Sequence, residues 1–206
     1  MIRAGRLCLL HDTDDCSEYF YIAYNMNRVY VFLADGFETV EALAPVDVMR
    51  RAGIEVVTVS IMESANVVSA QNVTVVADSL YGDTDFSDAT ALVLPGGGLG
   101  TENLSGCEAL RALLCQACEK GTLVAAICAA PMVLGRVGIL QGRKATCYPG
   151  CEGDLFDAEY TAKAVEQDGN IITACGPGAS FDFGFAIVKQ FCGADVVETL
   201  RSQMQF

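Results

Sequence analysis

The order of strand-like and helical segments predicts an α/β protein: a flavodoxin-like three-layer α/β/α sandwich around a mostly parallel sheet. Two observations carry that expectation. Short continuous apolar runs at residues 91–94 and 123–127 have the character of central parallel strands covered on both faces. Segments with helical spacing lie between the strand candidates, so the two types alternate along the chain. A chain of 206 residues suits one domain with a sizeable core. Residues 26–206 are read as that domain, and residues 1–25 as an N-terminal extension outside it.

In order, residues 28–34 form the first strand. Residues 40–52 have helical spacing and end at Gly53, a suitable C-terminal cap. Residues 55–61 alternate and are β-rich, and residues 67–68 and 73–77 read as short strands. After the run at 91–94 comes a glycine-rich turn at 96–100, then a helical pattern at 107–120 and the strand at 123–127. Small residues and Pro131 then open a helix. Residues 171–174 are a further strand, 179–191 a helix and 194–203 a last helix. The first 25 residues are acidic and aromatic without a clear period, so three origins stay open: an upstream start-site artefact, a strain-specific extension or a packed arm.

Composition narrows the function classes. A hydrophobic content of 52% is high for a disordered chain. No apolar run approaches the roughly 20 residues of a membrane span, so no membrane association is expected. The formal charge of −13 argues against direct nucleic-acid binding, which needs a basic surface. The apolar segment 7–10 is too short for a secretory signal, which needs about 7–15 apolar residues. A cytoplasmic location with reduced thiols is therefore expected for the ten cysteines. Cys115 and Cys118 form a C-x-x-C pair inside a helical pattern, whereas redox pairs of this type begin helices. Cys147 and Cys151 lack a histidine close in sequence. No metal site is expected.

The chemistry concentrates in three places, each after a strand. Ala125-Ala126-Ile127-Cys128-Ala129-Ala130-Pro131 puts a thiol at a strand-to-helix elbow, where unpaired amides favour negative charge. A buried, inert cysteine is the competing reading. Leu94-Pro95-Gly96-Gly97-Gly98-Leu99-Gly100 lets the backbone approach a ligand, or merely turns the chain. It does not fit a dinucleotide fingerprint, because Thr101 stands where the third glycine belongs, and no Walker lysine follows. Glu41 follows the first strand with apolar neighbours on both sides, which points to partial burial. Glu38 is a rival carboxylate. In a parallel sheet these positions share the carboxyl edge of the strands, where ligands bind.

Together with Gly176-Pro177-Gly178-Ala179-Ser180-Phe181-Asp182-Phe183, these motifs resemble the ThiJ/PfpI superfamily (the DJ-one family), and most closely its ThiJ/YajL branch. The resemblance covers roughly residues 28–200, with the motifs in the same order and at similar spacing. It implies a catalytic pair of Cys128 and Glu41, with amides near Gly97 and Ala129 facing a reacting oxygen, beside Gly96. Tyr148 takes the place where some relatives carry a histidine before proline, and the chain's single histidine is His11. A phenol, with a pKa of about 10, is a poor base at neutral pH, which argues against a Cys-His peptidase. The resemblance further implies a homodimer and no cofactor. It suggests deglycase or glyoxalase action on methylglyoxal, glyoxal and their amine adducts, with release of a hydroxy acid. A redox-sensing stress chaperone, whose cysteine oxidises to sulfinate, is the alternative. A thiamine-pathway binding module ranks last, since no residue supports that ligand.

Overall fold

The computed structural model describes residues 27–206; the 1–25 extension lies outside the described residues. In chain order the elements are β1 (Arg28–Leu33), α1 (Thr39–Arg51), β2 (Glu55–Ser60), β3 (Asn66–Val68), β4 (Thr74–Val76), β5 (Ser79–Leu80), β6 (Ala89–Leu94), α2 (Gly98–Gly106) and α3 (Glu108–Glu119). They continue with β7 (Leu123–Ile127), α4 (Pro131–Arg136), β8 (Lys144–Ala145), β9 (Glu159–Tyr160), β10 (Val165–Asp168), β11 (Ile171–Ala174), α5 (Ser180–Cys192) and α6 (Ala194–Gln203).

Seven strands form one sheet in the order β10-β11-β7-β6-β1-β2-β5. Every pairing in it is parallel except β10 with β11. The mostly parallel α/β/α sandwich expected from the sequence is the observed fold. β3 and β4 form a separate hairpin, and β8 and β9 a two-stranded pair.

The period of two along each strand divides the core. Val29, Val31 and Leu33 of β1 pack on one face with Ala42, Val46 and Met49 of α1 and Phe183 and Ile187 of α5. Tyr30 and Phe32 point to the other face, against Leu104 of α2, Leu110 and Leu114 of α3, and Val133 and Leu134 of α4. The central strands are buried on both sides, which is why they read as unbroken apolar runs.

Two local details position the site. Pro45 lies inside α1 and has no amide to donate to the Glu41 carbonyl. A Cβ on Gly184 would lie 3.0 Å from Pro45 Cα, so the glycine allows α5 to approach α1 closely at that turn. The glycine-rich segment differs from the sequence expectation. It is a turn only through Gly97, and α2 begins at Gly98. The helix expected at 179–191 begins at Ser180, after a short 3-10 turn at Pro177–Ala179.

Candidate active site

The carboxyl ends of β1, β6 and β7 bring together the three segments singled out in the sequence. β7 ends at Ile127, and Cys128 turns the chain with φ of 64°, a left-handed conformation that non-glycine residues rarely adopt. Such a backbone costs about 1–3 kcal/mol and persists only where its surroundings fix it. Three hydrogen bonds fix it here. Cys128 N–H donates to Ala174 O at 2.8 Å, Tyr148 N–H donates to Cys128 O at 2.8 Å, and Ala130 N–H donates to Ile127 O at 3.0 Å. The outcome is a buried cysteine, 9% exposed as a residue, facing Glu41.

Glu41 is the other half of that pair. It sits in the first turn of α1 and is completely buried. Its Oε2 accepts the Gly96 N–H at 3.0 Å, and its carboxyl faces the Cys128 thiol. The rival Glu38 is directed elsewhere: its Oε2 accepts from Gln71 Nε2 at 2.7 Å, toward the β3–β4 hairpin. Gly96 separates the two halves. A Cβ there would lie 2.5 Å from Glu41 Oε2 and 2.7 Å from Cys128 Cβ, so no side chain fits. Gly97, with φ of 91°, is equally enclosed, since its Cβ would lie 2.3 Å from Gly36 O.

Burial pushes Glu41 up to about 7, against the pull of the Cys128 thiol and the Gly96 amide. Burial also pushes Cys128 up to about 12, and the charge and hydrogen bond of Glu41 add to the rise. The Ala129 and Gly97 amides face the sulfur and act in the opposite direction. At neutral pH the pair therefore loses one proton readily and holds the second tightly. A thiolate forms when the remaining proton sits on Glu41, which removes the carboxylate repulsion and leaves the amides to hold the sulfur. Elbow placement alone does not lower the thiol's pKa in this fold.

Tyr148 reaches the site through its backbone bond to Cys128. Its ring is half exposed and rests near Gly176, where a Cβ would lie 3.2 Å from Cδ2. An open groove of about 370 Å³ is lined by Asp35, Gly36, Ser69, Ala70 and Leu99 among others, with neither Glu41 nor Cys128 in its lining. Its walls come from the turn after β1, the β3–β4 hairpin and the start of α2; of these, the hairpin carries no motif in the sequence. Among the described residues, no group of three or more His, Cys, Asp or Glu side chains is placed to hold a metal ion. Cys115 and Cys118 lie within α3 as free thiols. No helix among the described residues is long and apolar enough to cross a membrane.

This geometry coincides with a family assignment. Residues 27–190 match the model of the DJ-1/PfpI family. The chain belongs to the DJ-1/PfpI family. It is 37% identical over 181 residues to the Parkinson disease protein 7 homolog of Danio rerio, covering 86% of this chain and 96% of that protein. It is 38% identical to protein DJ-1 homolog B of Arabidopsis thaliana over 82% of this chain but only 39% of the longer plant protein. Among solved structures, an oxidized Toxoplasma gondii DJ-1 superposes with a TM-score of 0.83 at 32% identity, covering 87% of this chain and 98% of that one. Drosophila melanogaster DJ-1beta superposes with a TM-score of 0.82 at 31% identity, over 87% and 97%.

Proposed function

We propose that this DJ-1/PfpI family member is a cofactor-independent glyoxalase or deglycase. It would act on methylglyoxal, glyoxal and their amine adducts in defence against carbonyl and oxidative stress. The observation that carries the reading is the buried Glu41–Cys128 pair, with the Gly97 and Ala129 amides turned toward the sulfur.

In the proposed cycle the Cys128 sulfur adds to the aldehyde carbon of methylglyoxal, and the resulting oxygen collects a proton through Glu41. The nearby Gly97 and Ala129 amides stabilise charge on that oxygen; in known enzymes such a donor contributes about 3 kcal/mol. Glu41 then moves a proton from this carbon to its neighbour, which converts the hemithioacetal into the thioester of a hydroxy acid. Water cleaves the thioester, releasing lactate and restoring the thiol, so the net change is addition of one water. Glu41 supplies every proton transfer, which suits a chain whose only histidine lies outside the described residues. Tyr148 orients the substrate from the rim. We place the enzyme in the cytoplasm as a single-domain homodimer.

The test is disappearance of methylglyoxal without glutathione, using wild type, Cys128→Ser and Glu41→Gln side by side. Turnover that both substitutions abolish supports the reading. Wild-type turnover no faster than that of Cys128→Ser overturns it. A redox-sensing chaperone is the second reading, supported by the Gly97 and Ala129 amides that face the Cys128 sulfur. A sulfinate there would accept from the Gly97 and Ala129 amides and from a protonated Glu41.

A further inference from the structure

The sheet register runs on past the last strand residues and gives Cys128 a lateral neighbour. β11 and β7 pair in parallel, with Ile171 opposite Val124 and Ala174 opposite Ile127. In this ladder every second β7 amide donates to the carbonyl one residue before its partner on β11, as Val124 N–H does to Asn170 O at 2.9 Å. Cys128 N–H donates to Ala174 O at 2.8 Å in the same pattern, so the residue opposite Cys128 is Cys175. Adjacent strands lie about 4.8 Å apart. A disulfide takes Cα separations of about 4.4–6.8 Å, so the backbone spacing admits one here.

The side chains also share surroundings. Strict alternation along β7 would send Cys128 to the face covered by α2, α3 and α4. Its left-handed φ instead places it in the opposite cluster, with α1 and α5, and Cys175 packs against that same cluster. Both are free thiols, Cys128 buried and Cys175 partly buried. Cys147 and Cys151 belong to the cluster on the far face of the sheet.

We propose that Cys175 is the resolving thiol of Cys128, making the site a reversible peroxide-sensitive switch. The inference rests on the reading of Cys128 as a reactive thiol. Hydrogen peroxide is the oxidant. The Cys128 thiolate attacks one peroxide oxygen, the O–O bond breaks, and hydroxide leaves as water, giving Cys128 sulfenic acid. The Cys175 sulfur then attacks the Cys128 sulfur, the S–O bond breaks, and a second water leaves as the disulfide forms. Two thiols are oxidised and one peroxide is reduced to two waters. The disulfide blocks the nucleophile and spares it from sulfinate, and a dithiol reductant restores it.

The experiment treats the full-length protein with a small excess of hydrogen peroxide and maps its peptides without reduction. Wild type, Cys175→Ser and Cys175→Ala are compared, their folding verified by melting temperature. The wild type is expected to yield a peptide linking Cys128 to Cys175, with loss of two hydrogens and full reversal by dithiothreitol. Both variants are expected to carry two added oxygens on Cys128 instead. Two oxygens on Cys128 of the wild type, with no linked peptide, overturn the resolving role while leaving the reactive thiol intact. An unmodified Cys128 in all three proteins overturns both.

Discussion

Glu41→Gln separates the cost of burying a charge from the cost of filling the same space. Glu41 is fully buried, and its pKa rises from 4.5 to about 7, with desolvation the largest cause. The folded state thus holds the proton more tightly than the unfolded chain. Its contribution to stability is fully present below about pH 4.5 and is lost as pH rises through about 7. At 1.36 kcal/mol per unit, the window amounts to about 3 kcal/mol. Glutamine keeps an oxygen to accept from the Gly96 amide and has no charge to desolvate. Urea unfolding of both proteins at several pH values between about 4 and 8 gives the difference directly, because the other carboxylates cancel. The variant is expected to gain about 3 kcal/mol on the wild type across this range, or about 6–12 °C in melting temperature for a chain of this size. A difference that stays flat with pH, or that grows in favour of the wild type, would refute the reasoning. Either result would mean that the fold welcomes the Glu41 anion.

Three further outcomes follow from the same geometry. Gly96→Ala pushes a methyl against Glu41 Oε2 and Cys128 Cβ; it is expected to cost about 1–3 kcal/mol in chemical denaturation and most of the methylglyoxal turnover. Tyr148→Phe keeps the backbone bond to Cys128 O and a half-exposed ring. Its stability should stay within about 0.5 kcal/mol of wild type, and its turnover within about tenfold if Glu41 carries the protons as proposed; a deeper loss would make the phenol a proton donor. For wild type, kcat/KM is expected to rise through about pH 7 as the Glu41–Cys128 pair loses its first proton. A profile flat between about pH 6 and 8.5 would separate turnover from the pair's titration.

The parts of the fold legible in the sequence are those that a local pattern defines. β7 announces itself because all five of its residues are buried, and the run stops where Cys128 turns the chain. α2 was not legible. It carries glycine at positions 98, 100 and 106, a composition that disfavours a helix by about 1 kcal/mol per glycine. It forms because Leu104 is fully buried and because Gly100 lies where a Cβ would be 2.7 Å from Phe37. β10 reads Val-Glu-Gln-Asp and takes its place only by pairing antiparallel with β11. β8 and β9 are two residues each, too short for any period to show.

The site divides along the same line. Chain order put Glu41, Gly96 and Cys128 at one edge of a parallel sheet, since each follows a strand. The motif register favours Glu41 over Glu38 in the sequence, and the fold adds the physical reason, burying one carboxyl and tying the other to Gln71. The proton needed the third dimension most. An elbow amide favours a thiolate in sequence terms, yet desolvation and a neighbouring carboxyl outweigh it and raise Cys128 instead. Two groups that each resist ionisation can still share one negative charge, and the amides modulate how it is divided. Gly96 donates to the carboxyl, whereas Gly97 and Ala129 face the sulfur. The carboxyl, at about 7, still ionises ahead of the sulfur, at about 12, so the Gly97 and Ala129 amides lower but do not erase the cost of moving the charge to sulfur. In the proposed cycle, a bound carbonyl that draws the same two amides to its oxygen would carry that charge forward onto the substrate.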